Sequence, residues 1–267
     1  MAGVDVRGIL FDLDGVIYLG DQLIDGAVQA LEWVRARRIP HLFVTNTTSR
    51  PREALCRKLS GMGIAVDVDR ILSPPVAAVH WLQTQTRGAA ALFVPEATRV
   101  EFAGLPLWRG NGDEAVGSVV VGDLGEDWDF RRLNQAFRLL MQQPAPRLVA
   151  LGMTRYWKTP DGLQLDAGPF VTALQYASGI EPVVTGKPAA AFFHSGAEAL
   201  GIQPAQLLMI GDDIRGDIGG AQQAGLKALL VQTGKFQPSD LQGDVLPDAV
   251  LASIADLPEW WQRQVDA

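Results

Sequence analysis

The sequence predicts an α/β fold, a doubly wound, Rossmann-like parallel sheet with a second α/β domain inserted into it. Short apolar runs alternate with amphipathic stretches at both ends of the chain, which is the pattern of a parallel sheet covered by helices. Several of these runs are followed at once by a polar cluster. The middle of the chain has strands and a helix of its own but none of the acidic strand-end clusters. The expected division is a discontinuous core, 1–75 and 183–267, around an inserted domain, 76–182.

In the first segment, Val6 to Leu13 reads as a buried strand ending in acidic residues. Ala27 to Arg38 follows as a helix, with Val28, Leu31 and Val34 on one face and basic residues at its C-terminus before Pro40. His41 to Thr45 is a second strand. Ser49 is expected to cap a helix with Pro51 in its first turn, stopping at Gly61 or Gly63.

The insert carries predicted strands at Ala91–Val94, Ser118–Val121 and Arg147–Leu151, and a helix at Asp129–Met141. Beyond it, Pro182–Val184 reads as a core strand and Pro188 opens a helix that Gly201 stops. Leu207–Ile210 is a strand, followed by a short helix to Ala224 and a strand at Ala228–Val231. Trp260 and Trp261 fall in a short closing helix.

Bulk properties narrow the function. The 267 residues are 48% hydrophobic and 20% charged, enough to bury a substantial core. A net charge of -7 argues against a nucleic-acid binder, which would show a basic face. No apolar run approaches the roughly 20 residues that span a bilayer, and the N-terminus lacks the pattern of a signal peptide. Cys56 is the only cysteine, so no intrachain disulfide forms. The expectation is a soluble, cytoplasmic protein with neither nucleic-acid nor membrane partners.

Four segments place polar residues just past a predicted strand, and parallel sheets gather such ends into one crevice. The first is Asp12-Leu13-Asp14-Gly15, where one carboxylate can attack phosphorus while the other handles the leaving-group proton. The second, Thr45 to Ser49, offers a hydroxyl and backbone N–H groups suited to cradling phosphate. The third, Gly186-Lys187-Pro188, puts a cation at a helix start, where cations are disfavoured unless they serve an anion. The fourth, Gly211 to Asp217, supplies Asp212 as a direct magnesium ligand. Asp217 is read as holding either a metal-bound water or Lys187, and Asp213 as an outer group or a turn residue. In the insert, Tyr156, Trp157 and Lys158 form a polar-aromatic cluster; Tyr156 and Lys158 are candidates for substrate specificity, and Trp157 is read as packing.

The order Asp-x-Asp-Gly, Thr-Asn, Gly-Lys-Pro, Gly-Asp-Asp-(x)3-Asp resembles the haloacid dehalogenase superfamily, and the large insert resembles its C2-capped branch. The runs Arg155–Lys187, Gly211–Gln222 and Gln232–Phe236 are similar to the phospholysine–phosphohistidine–inorganic pyrophosphate phosphatases and the domain-containing-2 relatives. That resemblance implies a Mg2+-dependent phosphatase acting on a small phosphorylated metabolite. It makes Asp12 the nucleophile, Asp14 the acid/base with its carbonyl on the metal, Thr45, Asn46 and Lys187 the phosphate binders, and Asp212 the remaining ligand. The insert would close over the site as a cap and support a homodimer. The alternatives are a non-catalytic metal-binding scaffold and a phosphatase of pyrophosphate or phosphoramidates.

Overall fold

The computed structural model describes residues 5–85, 88–110, 114–159 and 162–265, the side chains of 157–159 and 265 excepted. The chain divides into two compact units. The first holds residues 1–45, 55–72 and 187–267, the second 46–54 and 73–186.

The first unit is built on a six-stranded sheet ordered Ala249–Leu251, Lys227–Val231, Leu207–Gly211, Gly8–Asp12, His41–Val44, Ile71–Leu72. All of its pairings are parallel. Gly8–Asp12 is buried along its whole length, as expected of a strand covered on both faces. Ile9 and Phe11 pack with Leu31 and Val34 of the Ala27–Ala36 helix. Leu10 faces the other way, toward Gly196 of the Ala190–Leu200 helix, where an added methyl would lie 3.2 Å from it. Gly201, in the left-handed region, ends that helix. The closing helix Leu257–Val265 sets Trp261 edge-on against Trp33 at 6.1 Å.

The second unit has a four-stranded parallel sheet ordered Val183–Val184, Arg147–Ala150, Val116–Val121, Ala89–Phe93. Its side chains alternate between two faces. Val119, Val121 and Leu148 pack with Ala136 and Leu139 of the Phe130–Leu140 helix and with Val171 and Leu174 of Ala167–Ser178. Val120 and Val149 pack with Ala78 and Leu82 of Pro74–Gln85 on the opposite face. Asp129 caps the Phe130–Leu140 helix by accepting the Arg132 N–H at 2.7 Å.

Several expectations are revised. Val183–Val184 pairs with Arg147–Ala150 in the second unit's sheet rather than with the first. The second helix spans Arg52–Gly61, so it starts after Pro51 rather than at a Ser49 cap. Tyr156, Trp157 and Lys158, expected as a polar-aromatic cluster, lie in the strand Tyr156–Thr159, which pairs antiparallel with Gly162–Leu165. Among the described residues, no helix is long and apolar enough to cross a membrane.

Candidate active site

The central strand Gly8–Asp12 lies between His41–Val44, the next core strand in sequence, and Leu207–Gly211 from the far end of the chain. Strand order reverses there, and in open parallel sheets ligands bind in the crevice beyond such a switch point. Asp12 and Gly211 are the last residues of the two strands.

Four charged residues meet at this point, all nearly out of solvent: Asp12 6% exposed, Lys187 6%, Asp212 1% and Asp217 0%. The Lys187 ammonium donates at 2.6 Å to Asp12 Oδ1 and at 2.6 Å to Asp217 Oδ1. Asp217 Oδ2 accepts the backbone N–H groups of Asp212 and Asp213, each at 3.2 Å. Gly211 permits this approach, since a methyl there would lie 2.2 Å from the Asp217 Cβ. Asp213 is a turn residue. Its Oδ1 accepts from the N–H groups of Arg215 and Gly216, at 3.1 and 2.8 Å, and its Oδ2 from Lys235 Nζ at 3.3 Å.

The Lys187 ammonium thus touches two of the three buried carboxylates, and the charge of Lys235 also acts on Asp212. Burial and the Asp217 charge push the Asp12 carboxyl up to about 8 against the pull of Lys187. Burial likewise pushes Asp212 up to about 6, opposed by the Lys235 N–H. Burial alone would lower Lys187, but the attraction of Asp12 and Asp217 outweighs it and the ammonium is held above its ordinary value. Carboxylate oxygens of Asp12, Asp212 and Asp217 lie within 4.8 Å of one another. Asp212 Oδ1 is buried with no hydrogen-bond partner. An unpartnered carboxylate oxygen beside excess negative charge is the donor set that a hard divalent cation fits.

Thr45 is buried, one residue past the strand next to that of Asp12, with its N–H on the Leu72 carbonyl at 3.1 Å. Asp14 is exposed and forms an isolated bridge with Tyr18. Asn46 is exposed and belongs to the second unit, as does Tyr156, 49% exposed beside Arg155. The Lys158 side chain lies outside the described residues. Sequence reasoning missed Lys235, whose N–H donates to Asp212 Oδ2 at 2.7 Å. The usable signal was its place just after the Lys227–Val231 strand, the same kind of position as the other four motifs.

The family description haloacid dehalogenase-like hydrolase matches residues 9–104, and a second, HAD-hydrolase-like, matches residues 184–257. The chain is 39% identical to the phospholysine phosphohistidine inorganic pyrophosphate phosphatase of Homo sapiens, over 98% of this chain and 96% of that one. The chain belongs to the haloacid dehalogenase-like hydrolases. This hydrolase is also 37% identical to the haloacid dehalogenase-like hydrolase domain-containing protein 2 of Bos taurus, over 88% of this chain and 87% of that one. Its fold matches the p-nitrophenyl phosphatase of Archaeoglobus fulgidus with a TM-score of 0.86 at 26% identity, covering 96% of this chain and 99% of that one. The matched segments contain Asp12, Thr45, Lys187, Asp212 and Asp217.

Proposed function

We propose that this hydrolase is a magnesium-dependent phosphatase that cleaves a small phosphorylated metabolite through a phospho-aspartate on Asp12. The observation that supports it most is the Lys187 ammonium shared by Asp12 and Asp217 beside the unpartnered Asp212 Oδ1. Phosphatase is the activity named for its relatives of known function.

In this reading the carboxylates of Asp12 and Asp212 and the main-chain carbonyl of Asp14 hold Mg2+, whose charge offsets that of the phosphoryl oxygens and the surplus carboxylates. The Thr45 hydroxyl, Asn46 and Lys187 bind the phosphoryl oxygens. An Asp12 oxygen attacks phosphorus, and the bond to the leaving oxygen breaks as Asp14 delivers a proton to it. Asp14, now a carboxylate, takes a proton from water as that water attacks the phosphorus. The Asp12–phosphorus bond breaks and inorganic phosphate leaves. Asp217 keeps Lys187 aimed at Asp12, and Asp213 shapes the turn that presents Asp212.

The second unit serves as the cap in this proposal, with Tyr156 and Lys158 reading the leaving group, and a homodimer through the cap accompanies it. A cytoplasmic location is consistent with a single cysteine, Cys56, half-buried in the Arg52–Gly61 helix. A narrower substrate class, pyrophosphate or phosphoramidates, is favoured by the name of the relative from Homo sapiens.

The test is p-nitrophenyl phosphate hydrolysis with and without magnesium, by the wild type and by Asp12→Asn. Magnesium-dependent turnover that disappears in the variant is expected. Equal turnover by the variant would sink the reading. A folded protein that binds magnesium but neither turns over nor captures a phosphomimetic metal fluoride at Asp12 would be the non-catalytic scaffold.

A further inference from the structure

The turn after the Lys227–Val231 strand approaches Asp212 more closely than side chains would allow. Gly15 and Gly234 both adopt the left-handed region, with φ of 84° and 61°. A methyl on either would lie 2.0 Å from Asp212 Oδ2. The two glycines also touch, a methyl on Gly234 falling 2.6 Å from the Gly15 Cα. The Thr233 hydroxyl donates to the Gly15 carbonyl, which ties this turn to the one that carries Asp12 and Asp14. The Lys235 N–H then holds Asp212 Oδ2 at 2.7 Å. Oδ1 of the same carboxylate is left buried without a partner.

We propose that the Thr233–Lys235 turn is a positioning device for Asp212, fixing Oδ2 so that Oδ1 alone is presented to a divalent cation. The device works through three contacts. Gly15 and Gly234 wall the carboxylate in, the Lys235 N–H sets its rotation, and the Thr233 hydroxyl locks the two walls together. Thr233, Gly234 and Lys235 act through Asp212, so their contribution is to metal affinity rather than to the chemical step. Outer groups that orient a ligand typically account for about 10–100-fold in metal affinity. This inference rests on the metal-dependent reading of the site above.

The experiment is calorimetric titration of Mg2+ into the full-length chain without substrate, for the wild type, Thr233→Val, Thr233→Ser and Asp212→Asn. Thr233→Val, which keeps the shape and loses the donor, is expected to weaken Mg2+ binding roughly tenfold. Thr233→Ser, which keeps the hydroxyl, is expected to bind as the wild type does. At saturating Mg2+ the KM for p-nitrophenyl phosphate in Thr233→Val should match the wild type. Should Thr233→Val lose its cooperative unfolding transition in EDTA, Thr233→Ala carries the same comparison. Wild-type affinity in Thr233→Val, with binding lost in Asp212→Asn, overturns this inference and leaves the metal site standing. Wild-type affinity in Asp212→Asn overturns both.

Discussion

Lys187 Nζ stands 2.6 Å from Asp12 Oδ1, and both groups are almost completely withdrawn from water. The same ammonium is 2.6 Å from Asp217 Oδ1. Replacing Lys187 by Met removes the only ammonium touching either carboxylate among the described contacts. Stranding a buried charge in this way costs about 3–5 kcal/mol. Urea unfolding of Lys187→Met in EDTA is expected to show a loss of that order. Adding Asp217→Asn to it should recover part of the loss, whereas an undiminished midpoint in the single variant would contradict the shared ion pair.

The metal-free protein should lose stability as pH rises. Asp12 is pushed up to about 8 and Asp212 to about 6, while an unfolded chain releases these protons near 4. The folded state therefore holds more protons between about 4 and 8, and stability falls by at most about 1.4 kcal/mol per pH unit for each such group. Asp12→Asn lacks the larger of the two effects. In EDTA its unfolding midpoint, relative to the wild type, should climb from pH 5 to pH 8, and magnesium should restore the wild type. A difference independent of pH would rule this out.

Two glycines offer opposite outcomes from the same substitution. Gly211→Ala would place a methyl 2.2 Å from the Asp217 Cβ, whereas Gly61→Ala, at the end of the Arg52–Gly61 helix, meets nothing within 4 Å. The first is expected to destabilise by several kcal/mol, at least the roughly 1–3 kcal/mol of an overpacked site, and to reduce turnover. The second should be neutral or stabilise by about 0.4–1 kcal/mol. Thermal unfolding of both variants decides it.

Trp128 in the second unit is stacked between Phe93 at 5.9 Å and Phe170 at 4.9 Å, yet its indole N–H is buried without a partner. Trp128→Ala should cost about 3–5 kcal/mol. Trp128→Phe keeps an aromatic layer and removes the unpaired donor, so it should cost much less. A Phe variant as unstable as the Ala variant would show that the indole ring, and not the stack, is required.

The strand-end motifs were legible because convergence at the carboxyl ends of parallel strands is a rule of topology, and it needs only strand positions and their order. Asp12, Lys187, Asp212 and Asp217 accordingly come together in the fold. Ile71–Leu72 was missed because two residues show no period. The Pro74–Gln85 helix was missed because its opening Pro-Pro and buried Ala-Ala carry no amphipathic stripe. The Lys235 contact to Asp212 uses a backbone N–H, and a main-chain donor has no residue type by which a sequence reveals it.

The placement of Gly8–Asp12 at the centre of its sheet also sets a schedule. One flank pairs with His41–Val44, soon after it is made, but the other waits for Leu207–Gly211. At about 5–20 residues per second of synthesis, roughly 200 residues separate the strand from its second partner, a delay of about 10–40 s. Throughout that interval a run of wholly apolar residues, Gly-Ile-Leu-Phe, has one open edge on the nascent chain, the kind of edge that seeks other strands. The strand that ends in Asp12 is thus made long before it is fully enclosed, and its second edge stays open until Leu207–Gly211 arrives.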